Sequence, residues 1–94
     1  MTTSFNNEQI SLTSQVRYRA VGDDGVLVHL ENGRVIVVNE VGLFIVQLLD
    51  CPRTCQELVT AISLEFEVTE NQAKTDLEVY LAELDNEQVL EHAS

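Results

Sequence analysis

Apolar residues recur along this chain with two different periods, and the change from one to the other divides it near its middle. Val16, Tyr18 and Ala20 alternate with Arg17 and Arg19, the period-two pattern of a half-buried strand. Val26, Val28 and Leu30 then fall on one side of a second strand, with Leu27 and His29 on the other. The third run, Arg34 to Val38, is apolar at Val35, Ile36, Val37 and Val38, so both of its faces need cover. From Val41 the period lengthens. Val41, Phe44, Ile45, Leu48 and Leu49 mark one face of a helix, and Leu58, Val59, Ile62 and Phe66 mark a second. Ala73, Leu77, Tyr80, Leu81 and Leu84 mark a third helix running to about Glu87. Val89 and Leu90 add an apolar end suited to packing back on the core.

The junctions carry matching signals. Gly22-Asp23-Asp24-Gly25 predicts a turn, and Asn32-Gly33 predicts a type I′ hairpin with positive φ at both residues. Asn39 is placed as N-cap, so the third strand passes into the first helix without a loop. Asp50-Cys51-Pro52-Arg53 breaks the chain at its one proline. Thr54 with Glu57, and Thr69 with Gln72, predict capping boxes for the second and third helices. Residues 1–14 predict a flexible tail in which Ile10 to Leu12 are able to dock, and residues 15–91 a single domain. The order is α+β: a three-stranded antiparallel sheet followed by three helices, the last two resembling a helix-turn-helix pair, as in a winged helix.

Charge and chemistry narrow the function. The 94 residues suffice for one core, and sixteen acidic against five basic residues leave a net charge of −11. That charge repels phosphate backbones and anionic lipid, which argues against nucleic acid and membrane as partners. Lys74 is the one basic residue of the third helix, against Glu70, Asp76, Glu78, Glu83, Asp85 and Glu87. With no basic and apolar leader pattern at the N-terminus, a cytoplasmic protein is expected. Cys51 and Cys55 are read as ordinary reduced thiols, since two sulfurs do not make a zinc site. His29 is read as a sheet-surface residue, and Arg17 and Arg19 as solvating the outer sheet face. No phosphate loop, nucleophile motif, metal cluster or cofactor signature is present, so catalysis is not expected.

The remaining feature is the third strand. In a meander its outer edge leaves backbone donors and acceptors unpaired, and an extended peptide could add itself there beside the third helix. The same edge would allow self-pairing into a homodimer.

The segment GDDGVLVHLENGRVIVVNEVG, an apolar helix, CPRTCQELVTAI and DLEVYLAELDNEQVL together resemble the PqqD-like family, the peptide-binding domains also called RiPP recognition elements. Asn39-Glu40-x-Gly42, Pro52-Arg53-Thr54, and Asp76 followed by Tyr80-Leu81-x-x-Leu84 carry the resemblance, over roughly residues 15 to 91. It implies a winged-helix-like, non-catalytic adaptor. Such a domain binds the leader segment of a ribosomally made precursor peptide and presents it to a modifying enzyme such as a radical-SAM enzyme or a cyclase. The implied peptide-binding residues are Val35, Ile36, Val37 and Val38 of the strand and Asp76, Leu77, Tyr80 and Leu81 of the helix. At 100° per residue, Asp76, Tyr80 and Glu83 share one flank of that helix, and Lys74, Leu81 and Asp85 the other. Two positions depart from the family pattern: the third strand lacks an aromatic residue, and Gln88 stands where a glycine often precedes the terminal apolar pair.

Overall fold

The structure, a computed structural model, describes residues 8–93. Its elements are β1 (Gln9–Leu12), β2 (Val16–Val21), β3 (Asp24–His29), β4 (Val35–Val38), α1 (Glu40–Leu48), β5 (Arg53–Thr54), α2 (Cys55–Phe66), α3 (Glu70–Asn86) and β6 (Leu90–Ala93). The expected meander is present as an antiparallel sheet in the order β2-β3-β4, followed by the three helices. A second small sheet, β5-β1-β6, was not foreseen.

Register places side chains of the meander on two distinct faces. Val16 opposes His29, Leu27 opposes Ile36 and Gly25 opposes Val38, so this set faces the helices. Leu27 is fully buried, and His29 is buried beside it. The expectation of a surface histidine is therefore corrected. His29 shares the inward parity of Leu27, and hydrogen bonds meet both ring nitrogens: Nδ1 accepts from the Glu31 N–H (3.3 Å), and Nε2 lies 3.1 Å from the Gln88 carbonyl oxygen. A ring nitrogen that accepts a backbone N–H leaves the proton to the other, so Nε2 donates to Gln88. Val35 and Val37 lie on the opposite, exposed face. The hairpin before them also differs from expectation. Gly33 has φ +73°, but Asn32 does not share a positive φ, and the loop runs from Leu30 to Arg34 with the Gly33 N–H reaching the His29 carbonyl. Asn32 acts through its side chain, which accepts from the Arg34 N–H.

The caps explain where the helices begin. Thr54 and Glu57 close the predicted capping box of α2 reciprocally. Thr69 accepts from the Gln72 N–H, but the Gln72 amide turns forward to Asp76 Oδ1 (2.9 Å), so α3 has only half of the box. Both α2 and α3 end through left-handed residues, Glu67 (φ 53°) and Gln88 (φ 63°). After α3 the Val89 N–H reaches Leu84 and the Gln88 N–H reaches Asp85, the paired bonds of a Schellman ending. Gln88 thus holds the conformation that glycine favours at this position. Replacing Gln88 with glycine should relieve the left-handed strain and raise unfolding stability by about 0.5–1 kcal/mol in urea titrations, after allowing for glycine's extra unfolded entropy.

The second sheet revises the predicted tail. Ile10 is fully buried, β1 pairs with β5 on one side and β6 on the other, and the Leu12 and Thr13 N–H groups reach Leu49 and Val89. Docking of Ile10 to Leu12 is therefore realised as a strand, while residues 1–7 of the predicted tail lie outside the described residues. Val89 and Leu90 are buried, as their apolar character predicted. Cys51 and Cys55 are both free thiols. No helix among the described residues is long and apolar enough to cross a membrane.

His92 of β6 sits between two carboxylates, with Nδ1 2.7 Å from Glu8 and Nε2 2.8 Å from Asp85. Partial burial alone would lower its pKa, but the hydrogen bonds and charges of Asp85 and Glu8 outweigh it and raise the pKa. A histidine raised on folding contributes stability that is complete below its unfolded pKa and lost as pH rises through the folded one. The imidazole should accordingly titrate above its ordinary value by NMR, and Asp85→Asn should bring the midpoint down. Exchange protection across β1 and β6, corrected for intrinsic rates, should weaken as pH climbs through that midpoint.

Candidate functional site

The groove between β4 and α3 follows from how the two elements are tied together. Arg34, just before β4, forms a two-pronged contact with Glu87 near the end of α3: Nε lies 2.9 Å from Oε1, and Nη2 donates to Oε2 at 3.1 Å. Asn39, just after β4, accepts the Tyr80 hydroxyl at Oδ1 (2.5 Å). The two ties show that α3 runs antiparallel to β4. Between them lies an open groove of about 700 Å3, with Ile36, Val37 and Val38 on one wall and Asp76, Val79, Tyr80, Glu83 and Leu84 on the other.

β4 is an edge strand, because the sheet order ends with it. The His29 N–H bonds the carbonyl of Arg34, its direct partner, and antiparallel pairs alternate between hydrogen-bonded and non-bonded. Leu27–Ile36 and Gly25–Val38 are then bonded pairs, and Val28–Val35 and Val26–Val37 are not. The backbone N–H and C=O of Val35 and Val37 therefore point away from the sheet. Four polar groups stand along one free edge beside an apolar groove.

One local knot sets the width of the groove. Asn39 Oδ1 accepts both the Gly42 N–H (2.9 Å), as helix cap, and the Tyr80 hydroxyl. A Cβ on Gly42 would lie 2.7 Å from Val38 Cβ and 3.2 Å from Tyr80 Cε1. Only glycine lets the end of β4, the start of α1 and the middle of α3 meet there. This is the physical content of the Asn39-Glu40-x-Gly42 spacing.

The residues expected to bind peptide fall into three groups. Ile36, Val37, Val38, Asp76 and Tyr80 line the groove. Val35 offers its backbone to the edge while its side chain, 63% exposed, lies on the outer sheet face. Leu77 and Leu81, also expected at the peptide site, are fully buried in the core under α3 and are not among the residues that line the groove. The flank of α3 that carries Asp76, Tyr80 and Glu83 is the one turned to β4, and Val79, Leu84 and Glu87 join it. Sequence reasoning passed over Val79 and Glu87, although their spacing from Asp76 and Glu83 by three and four residues places them on that flank.

Elsewhere the Tyr18 hydroxyl donates to Asp50 Oδ2 (2.5 Å). That hydrogen bond, with burial and the Asp50 charge, pushes the tyrosine pKa up to about 12. It lies outside the groove and ties the sheet to the end of α1.

An antiparallel sheet with a free edge strand set against the last helix defines a winged-helix-like domain open to strand addition. The chain belongs to the PqqD family: the model of coenzyme PQQ synthesis protein D matches residues 24–90. It is similar to TbiB1 in a structure of that protein in complex with the TbiA(beta) leader peptide, at 31% identity over 86% of this chain and 94% of that one, with a TM-score of 0.78. The solution NMR structure of the PqqD truncation of Methylobacterium extorquens PqqCD, a stand-alone RiPP recognition element, shares the fold at 21% identity, covering 88% of each chain, with a TM-score of 0.73. No curated protein matches the chain.

Proposed function

We propose that this protein is a non-catalytic adaptor that captures the leader segment of a ribosomally made precursor peptide and presents it to a peptide-modifying enzyme. The observation that carries this reading is the free edge of β4, where the outward N–H and C=O groups of Val35 and Val37 stand beside the groove. A leader strand pairing there would exchange up to four backbone hydrogen bonds and lay alternate side chains against α3. The leader bound by TbiB1, a relative of similar length and fold, supports it. Because precursor peptides emerge from ribosomes, the adaptor would work in the cytoplasm.

The test is titration of isotope-labelled protein with the leader encoded beside its gene, following backbone amides. Shifts concentrated at 35–38 and along 76–84 are expected. Unmoved amides at saturating leader, with shifts at 35–38 on dilution of the free protein, would assign the edge to self-association.

A further inference from the structure

The groove is not neutral, and its charges stand in a definite order. Its strand wall is wholly aliphatic, but its helix wall carries Asp76, Glu83 and Glu87, and no lysine or arginine lines it. Glu87 is already held by Arg34 at one end. Asp76 accepts a single hydrogen bond, from the Gln72 amide to Oδ1, and Glu83 accepts none among the described residues. Two carboxylates with spare acceptor capacity thus overlook an apolar floor of Ile36, Val38, Val79, Tyr80 and Leu84.

On the strand-addition reading above, we propose that the groove selects leaders bearing two Lys or Arg side chains on the α3-facing side of the added strand, received by Asp76 and Glu83. Long cationic side chains suit this geometry. Their methylene stems cover apolar surface while the head group reaches a carboxylate, which strengthens the hydrogen bond by charge. An acidic side chain in the same place would meet two like charges, so rejection adds to attraction.

The spacing is also constrained. Seven residues of α3 separate Asp76 from Glu83, about 10.5 Å along the helix axis. Same-side positions of a strand recur about every 6.8 Å, so cations two or four residues apart bracket that distance. Asp76 lies one helical turn beyond Tyr80, at the Asn39 end of the groove, and Glu83 lies near its middle. The remaining inward positions of the leader would be apolar.

The experiment is selection of a displayed library of random twelve-residue peptides against the full chain, with sequencing of the bound pool. Pairs of Lys or Arg two or four positions apart should be enriched. A selected peptide should lose about tenfold in affinity for each cation changed to glutamate. Asp76→Asn with Glu83→Gln, which keeps size and the Gln72 contact, should erase the preference while leaving the circular dichroism unchanged. Binding that is sensitive to a blocked β4 edge (Val37→Pro) but shows no cation preference, or a preference unmoved by the double variant, overturns the charge rule alone. Failure to enrich any peptide, or enrichment indifferent to Val37→Pro, overturns strand addition and the charge rule with it.

Discussion

Val37→Pro should abolish most leader binding while leaving the domain folded. Val37 forms a non-bonded pair with Val26, so its N–H serves no partner inside the sheet and points to the free edge. Proline removes that donor and fills its place with a ring, and edge strands tolerate proline where the missing N–H faces outward. An unmet leader carbonyl and the steric block together should cost about 1–3 kcal/mol of binding, or about fivefold to more than a hundredfold in Kd. The neighbouring substitution Ile36→Pro makes the contrast. Ile36 forms a bonded pair with Leu27, so proline there removes a ladder bond and should destabilise the fold itself. Calorimetric titration with leader, beside thermal unfolding of each variant, checks both. A Val37→Pro protein that bound leader as tightly as wild type would exclude strand addition at β4.

Gly42→Ala should damage the groove from its hidden side. The added methyl would stand 2.7 Å from Val38 Cβ, closer than carbon atoms pack, so β4 or α1 must shift. Overpacking of this kind costs about 1–3 kcal/mol, roughly 4–8 °C of Tm per kcal/mol in a domain of this size. The neighbouring Tyr80 ring would be displaced as well, straining its hydrogen bond to Asn39 and moving α3 relative to the strand. Leader affinity should therefore fall even at temperatures where the variant is fully folded. Tyr80→Phe separates the two effects, because it removes the hydroxyl bond and keeps the ring. Its loss of stability should be near 1 kcal/mol, with a smaller loss of affinity than Gly42→Ala.

Much of the groove could be read before any fold was known, for reasons that differ residue by residue. The doubly apolar run Val35–Val38 announced a strand whose second face or edge needed a partner. The cap at Asn39 was legible because capping is a contact across three residues, from the side-chain oxygen to the Gly42 N–H. That the same oxygen also receives Tyr80, forty-one residues away, was not. Asp76, Tyr80 and Glu83 share a flank by helical phase alone. Leu77 and Leu81 come to the peptide site through the family resemblance alone, whereas helical phase puts them on the apolar stripe of α3, where they are fully buried.

Local patterns thus determined the three meander strands, the three helices and their starts, since hydrophobic period and capping act within one or two turns of chain. The tertiary structure alone decided the rest. It made β1 a strand by giving Ile10 a buried seat between β5 and β6, and it turned inward the face of β3 that carries Leu27 and His29, with His29 opposite the buried Val16. It also left the edge of β4 uncovered and turned the acidic flank of α3 towards it. These outcomes depend on which surfaces meet after distant segments pack, and no period of two or 3.6 residues encodes that.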